Sequence, residues 1–194
     1  MRRQTHRTLT VAALTLAFLA GLLASPAMAQ NSASDLRAQY VADLEAMKSK
    51  FIDLAGAMET GMYGWQPMEG VRTVSEVFML IVAENYVIPN SWGAAPPAGV
   101  TPSPAMFRDL AKVTDKAEVQ QQLEDSFTHM IDAVSKISDA QMSEKIQMFG
   151  QERTVQAALF MITGDMHEHL GQAIAYARAN EVVPPWTARR QQQM

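Results

Sequence analysis

The residues best suited to chemistry lie in one stretch, Asp165-Met166-His167-Glu168-His169-Leu170-Gly171-Gln172. It is the one place where imidazole and carboxylate side chains crowd together. Such groups hold a metal ion when at least three converge, or move a proton when a carboxylate orients an imidazole. The stretch lies in a run with helical periodicity. Residues four apart on a helix sit about 40° from each other, and residues two apart about 200°. Asp165 and His169 therefore share a face, and His167 points nearly the opposite way. The eligible pair is Asp165 with His169, on the edge of an apolar stripe of Val155, Ala158, Leu159, Ile162, Met166, Leu170, Ile174 and Ala177. Two readings follow. Either the pair turns into a protein interior, or it is a near-surface i,i+4 contact worth about a few tenths of a kcal/mol.

A metal would need a third ligand. The row Glu76, Leu80 and Glu84 on another helical run is the obvious donor. Glu76 has a competing role as a helix cap. Glu84 either reaches inward or forms a solvated edge. His129 reads as a surface or satisfied polar residue, and His6 lies in the N-terminal basic segment. The fourteen methionines are scattered and read as adaptable core packing. No Ser/His/Asp order, phosphate loop or HExxH motif is present.

Four helices must position these groups. The spacing predicts them over about 34–58, 73–87, 115–137 and 154–179. In the first, Leu36, Tyr40, Leu44, Met47, Phe51 and Leu54 form one stripe, and Ser34 is a candidate N-cap. Asn31-Ser32-Ala33 reads as a mobile leader. Gly61, Gly64, Pro67 and Gly70 then break the chain. The second helix opens with the capping box Thr73/Glu76 and is apolar on most sides, the mark of a central helix. Pro89 ends it. The stretch from Asn90 to Pro104, with Pro96, Pro97, Gly99 and Pro102, reads as a long crossover loop. The third helix has Thr114 as a cap and a core face of Leu123, Phe127, Met130, Ile131 and Val134. Asn180 is the expected C′ residue of the fourth, and Pro184-Pro185 stop it. No strand-period run is expected. The fold class is all-α, a four-helix bundle with one long crossover loop.

The N-terminus has a different purpose. Arg2, Arg3 and Arg7 precede an apolar run to about Leu23, and Ala27-Met28-Ala29 follow Ser25-Pro26. That order predicts a secretory signal peptide over 1–29, cleaved between Ala29 and Gln30, and hence a periplasmic or secreted single domain over 30–194. The apolar run is shorter than the roughly 20 residues of a membrane span, so no stable membrane insertion is expected after cleavage. The 194 residues contain no cysteine, which rules out disulfides and thiolate ligands. The formal net charge is −4, and the basic residues are scattered, which argues against nucleic-acid binding.

Several segments resemble the DinB-like superfamily, four-helix bundles that include the YfiT group. They are Gly64-Trp65-Gln66-Pro67, Gly70-Val71-Arg72-Thr73-Val74-Ser75-Glu76-Val77, Asn85-Tyr86, Thr114-Asp115-Lys116, Phe149-Gly150, His167 to Gln172, Ala175-Tyr176-Ala177-Arg178 and Val183-Pro184-Pro185-Trp186. The resemblance covers the predicted mature chain. It implies a three-histidine divalent-metal site, one ligand on the second helix and two on the fourth. Some members are thiol-dependent transferases or isomerases. Mapped onto this sequence, those ligands fall at Leu80, Asp165 and His169, so two of the three histidines are replaced.

The favoured expectation is an exported protein that has lost the metal and binds a small ligand or a partner near Leu80, Glu84, Asp165 and His169. Trp65, Tyr86, Trp92 and Trp186 are candidates for the pocket mouth. The alternative is a divalent-metal-dependent transferase or hydrolase-like enzyme using His169 and Asp165, with zinc, nickel or manganese. A homodimer through the apolar second and third helices is a third expectation.

Overall fold

The computed structural model describes residues 25–194, with side chains from residue 33 onward. The signal-peptide stretch therefore lies almost wholly outside the described residues. Residues 37–194 form one compact unit. The first helix is α1 (Ser25–Ala57). It begins well before Ser34, so Ser34 is not its cap, and Asn31-Ser32-Ala33 are helical rather than a leader.

Within that compact unit the four-helix pattern holds, with edges close to those the periodicity predicts. The helices are α1, α2 (Val74–Val87), α4 (Lys116–Ser135) and α5 (Val155–Ala179). A short α3 (Pro104–Leu110) follows the crossover, and α6 (Pro185–Gln191) ends the chain. The 3-10 turns Thr60–Met62, Ile88–Trp92 and Gln141–Ser143 take up the connections. Among the described residues, no helix is long and apolar enough to cross a membrane.

Local chemistry sets the helix ends. Thr73 accepts from the Glu76 amide at 3.2 Å, and the Thr73 amide donates to the Glu76 carboxylate at 2.7 Å, a complete capping box. Asp115 rather than Thr114 caps α4, its carboxylate accepting from the Glu118 amide at 2.9 Å. Thr154 caps α5. The left-handed residue past α5 is Glu181, with φ 62°, not Asn180. Lys116 Nζ donates to the Gly56 and Met58 carbonyls at 2.8 and 2.7 Å. It thereby places a cation on the negative end of the α1 dipole and ties α4 to it.

The absence of strands is a further expectation that fails. Residues 145–154 form a β-hairpin, β1 (Lys145–Met148) against β2 (Gln151–Thr154), with Met148 opposite Gln151. Ile146 and Met148 point inward while Lys145 and Gln147 point out, a period of two. The two turn residues, Phe149 and Gly150, have φ of 51° and 74°. Positive φ at both central positions suits the twist of a two-residue hairpin. Phe149 bears the strain of that conformation, which a bulky residue rarely adopts.

The core centres on Phe51 of α1, which meets Phe78 of α2 edge-on at 6.3 Å and Phe127 of α4 at 5.7 Å. All three are essentially fully buried. Around them α2 has no exposed residue, and its least buried stripe is Glu76, Leu80, Glu84 and Val87. Two predicted stripe residues, Ile131 and Ile174, are only half-buried, and Ala173 is buried in the latter's stead. Truncating Phe51 removes a ring shared by three helices. Phe51→Ala should lower the unfolding free energy by about 3–5 kcal/mol, read as a shift in the urea midpoint at unchanged slope.

Candidate functional site

Asp165 and His169 do share a face of α5. The His169 Nε2 lies 3.7 Å from Asp165 Oδ1, and the imidazole is well buried while the Asp165 side chain is 39% exposed. His167 leaves the site, as the helical geometry requires. It bonds the Asp43 carboxylate at 3.0 and 3.1 Å on the outer surface, linking α5 to α1.

The polar edge of α5 continues for two more turns. The His169 Nδ1 lies 3.1 Å from the Gln172 side-chain oxygen, and the Gln172 amide donates to the Tyr176 hydroxyl at 2.9 Å. With its proton on Nδ1 donated to Gln172, His169 turns Nε2 toward Asp165. Trp65 packs edge-on against Tyr176 at 5.4 Å and holds the far end of this row. The positions 165, 169, 172 and 176 repeat at spacings of four, three and four. The arithmetic that pairs Asp165 with His169 would have found Gln172 and Tyr176 had it been carried two turns further.

Glu84 completes the arrangement from α2. Its carboxyl hydrogen-bonds that of Asp165. Burial raises its pKa from the usual 4.5 to about 8, and the Asp165 charge adds to the rise, against a smaller opposing pull from Arg72. Two carboxyl groups this close cannot both ionise cheaply. At neutral pH the pair therefore holds one proton and one negative charge. Glu84 is not a solvated edge. α2 has no solvated face to give it, so its side chain turns toward the one polar edge of α5.

Beside the carboxyl pair is a hollow of about 220 Å³, lined by Glu84, Ile88, Phe149, Met161, Ile162 and Asp165. It has one acidic wall and otherwise apolar ones. Leu80, Trp65, Tyr86 and Trp92 are not among its lining residues. Tyr86 stacks on His129 and Trp92 lines a different hollow. Trp186 is half-buried on α6. The expected aromatic mouth is thus absent from this hollow, because Tyr86 and Trp92 lie toward α4 rather than α5.

The residues present do not fit the three-imidazole site that the resemblance implies. Leu80 has no donor atom, and the Glu84 carboxyl is engaged with Asp165. Among the described residues, no group of three His, Asp or Glu side chains is arranged to hold an ion.

The raised Glu84 pKa makes stability depend on pH. Between about 4.5 and 8 the folded state holds a proton that the unfolded chain has released, so stability falls as pH rises through that window. Glu84→Gln should flatten the decline, an effect on the order of 2 kcal/mol after solvent screening. Urea denaturation of both proteins at pH 5 and pH 8.5 measures it, and parallel curves would contradict the assignment.

Comparison with known proteins bears on the fold. The sequence pattern of the DinB superfamily matches residues 43–173. A DinB-like protein from Bacillus cereus ATCC 10987 superposes with a TM-score of 0.63 at 15% identity, covering 75% of this chain and 93% of its own. A DinB-like protein from Bacillus subtilis gives 0.54 at 19% identity with the same coverage. A mycothiol-dependent maleylpyruvate isomerase gives 0.56 at 15% identity, covering 69% of this chain and 59% of its own. No curated protein matches the sequence. The match spans well over half of the chain and takes in α2, α4 and the polar edge of α5 as far as Gln172: this protein belongs to the DinB superfamily.

Proposed function

We propose that this protein is an exported member of its superfamily that has given up the three-histidine metal site and binds a small ligand in the hollow beside Glu84 and Asp165. The observation that carries this reading is the meeting of the Glu84 and Asp165 carboxyls at one hollow with otherwise apolar walls; burial of Glu84 beside Asp165 raises its pKa. A carboxyl that keeps its proton at neutral pH is a poor ligand for a divalent ion, because coordination requires the ionised form. The same pair, with one net negative charge beside apolar walls, suits a ligand with an apolar body and a cationic head. Leu80 on the half-buried stripe of α2 supports loss of the metal as well. His169 is held by Gln172, with its Nε2 3.7 Å from Asp165, and Phe149 forms one wall of the hollow.

Export rests on the N-terminal basic and apolar segments and the Ala27-Met28-Ala29 exit. Cleavage after Ala29 would trim only the first turn or so of α1.

The test uses the purified mature protein, its metal content and three probes of one shape. Hexylamine should bind at least about tenfold tighter than hexanol, with hexanoate weakest, since a charge-assisted hydrogen bond contributes about 1.5–3 kcal/mol. Asp165→Asn should bring the amine down to the alcohol. Near-stoichiometric zinc, nickel or manganese in the purified protein would overturn the metal-free reading. Equal binding of amine and carboxylate would overturn the cationic ligand.

A further inference from the structure

Phe149 occupies a position that its side chain does not suit. It is the first of the two residues in the hairpin turn, at φ 51°, and Gly150 follows at 74°. Such a turn favours asparagine, aspartate and glycine, which tolerate positive φ. A phenylalanine there costs stability. Burial does not offset that cost, since the residue is 64% exposed. Glu181, the other non-glycine residue with positive φ among those described, is a different case. It lies just past the end of α5, where the Val182 amide donates to the Ala177 carbonyl at 2.9 Å, so helix termination accounts for it. Hairpin geometry accounts for the turn at Phe149 but not for the ring.

The ring does border the hollow of about 220 Å³ beside Glu84 and Asp165. A residue held in an uncommon backbone conformation, with no return in packing, points to a role in binding.

The other walls narrow the chemistry. The side chains that line the hollow offer the Glu84 and Asp165 carboxyls and no other oxygen or nitrogen. Those carboxyls already bond each other. Ile88 and Ile162 are apolar, and the Met161 thioether is already reached by Arg153 Nη1 at 3.0 Å. A primary ammonium brings three N–H donors, more than these walls are free to accept. A fully methylated ammonium carries the same charge with no donor. Its methyl groups suit the apolar walls, and its charge is attracted both by a carboxylate and by the face of an aromatic ring.

We propose that Phe149 is the specificity-determining residue of this hollow, and that the head of its ligand is a methylated ammonium. The inference rests on the cationic-ligand reading above and adds the head group and the residue that selects it. Phe149 contributes a cation–π contact, Asp165 the opposite charge, and Ile88, Met161 and Ile162 the apolar contacts. The turn keeps a ring at the rim at some cost in stability.

Hexyltrimethylammonium and hexylamine are the probes, titrated into the purified mature protein by calorimetry. The methylated probe should bind at least about threefold tighter, the scale of one cation–π contact. Choline should exceed 3,3-dimethylbutanol, neutral and of the same shape, by a similar factor. Phe149→Leu keeps an apolar side chain in the same turn. It should weaken hexyltrimethylammonium roughly two- to fivefold and erase its preference over hexylamine, whereas Phe149→Trp, with the stronger ring face, should keep that preference. Phe149→Asn should erase it too, and raise the melting temperature by about 2–4 °C as the turn relaxes. Equal binding of the two ammonium probes, equal binding of choline and its neutral isostere, or an unchanged preference in Phe149→Leu would overturn the inference. So would a Phe149→Asn variant that melts lower and keeps the preference, since the ring would then serve packing alone. In each of those cases, hexylamine binding that Asp165→Asn abolishes leaves the cationic site standing without Phe149. If neither ammonium binds, the cationic-ligand reading falls and this inference falls with it.

Discussion

The structure depends on the burial of α2. A helix with no exposed residue cannot leave its polar side chains to water, so each must find a partner inside the bundle. Ser75 donates to the Val113 carbonyl. The Asn85 amide donates to the Ser126 hydroxyl of α4 at 3.2 Å. Glu84 hydrogen-bonds Asp165 of α5. These three contacts, added to the Phe51, Phe78 and Phe127 packing, fix the rotation of α2 against α4 and α5. The rotation in turn decides which side chains meet at each hollow.

The same constraint gives the molecule its chemistry. A carboxyl in such a helix keeps its proton well past the ordinary range, because ionising it means holding charge in a poorly solvated place beside another carboxylate. At under 20% identity, the superposition of the Bacillus proteins and the mycothiol-dependent isomerase speaks for the scaffold alone. In this member Glu84 of α2 and Asp165 of α5 stand together at one hollow.

The hairpin at 145–154 serves the site too. It delivers Phe149 to the rim of the hollow beside Asp165, at a backbone conformation that glycine would adopt freely and phenylalanine does not. A strained, largely exposed aromatic at a cavity mouth is a place where the fold gives up some stability. Its alternation of inward Ile146 and Met148 with outward Lys145 and Gln147 was present in the sequence. Four residues are too short a run to stand out beside four long helical periods.

The sequence by itself determined the helices, the capping box at Thr73 and the separation of His167 from His169. All of these follow from spacing along one element or from residue identity, and both are local. Away from the helix ends, where the sequence went wrong the deciding contact came from another element. Asp115 rather than Thr114 caps α4 by a one-residue choice of register. Glu84 turns inward because its own helix has no outside. Tyr86 and Trp92 face α4, and so line a hollow other than the one expected of them. The pairing of Glu84 with Asp165, and of Tyr86 with His129, joins residues far apart in the chain. Only the packing angle of α2 between its neighbours sets those distances, and no period in the sequence encodes that angle.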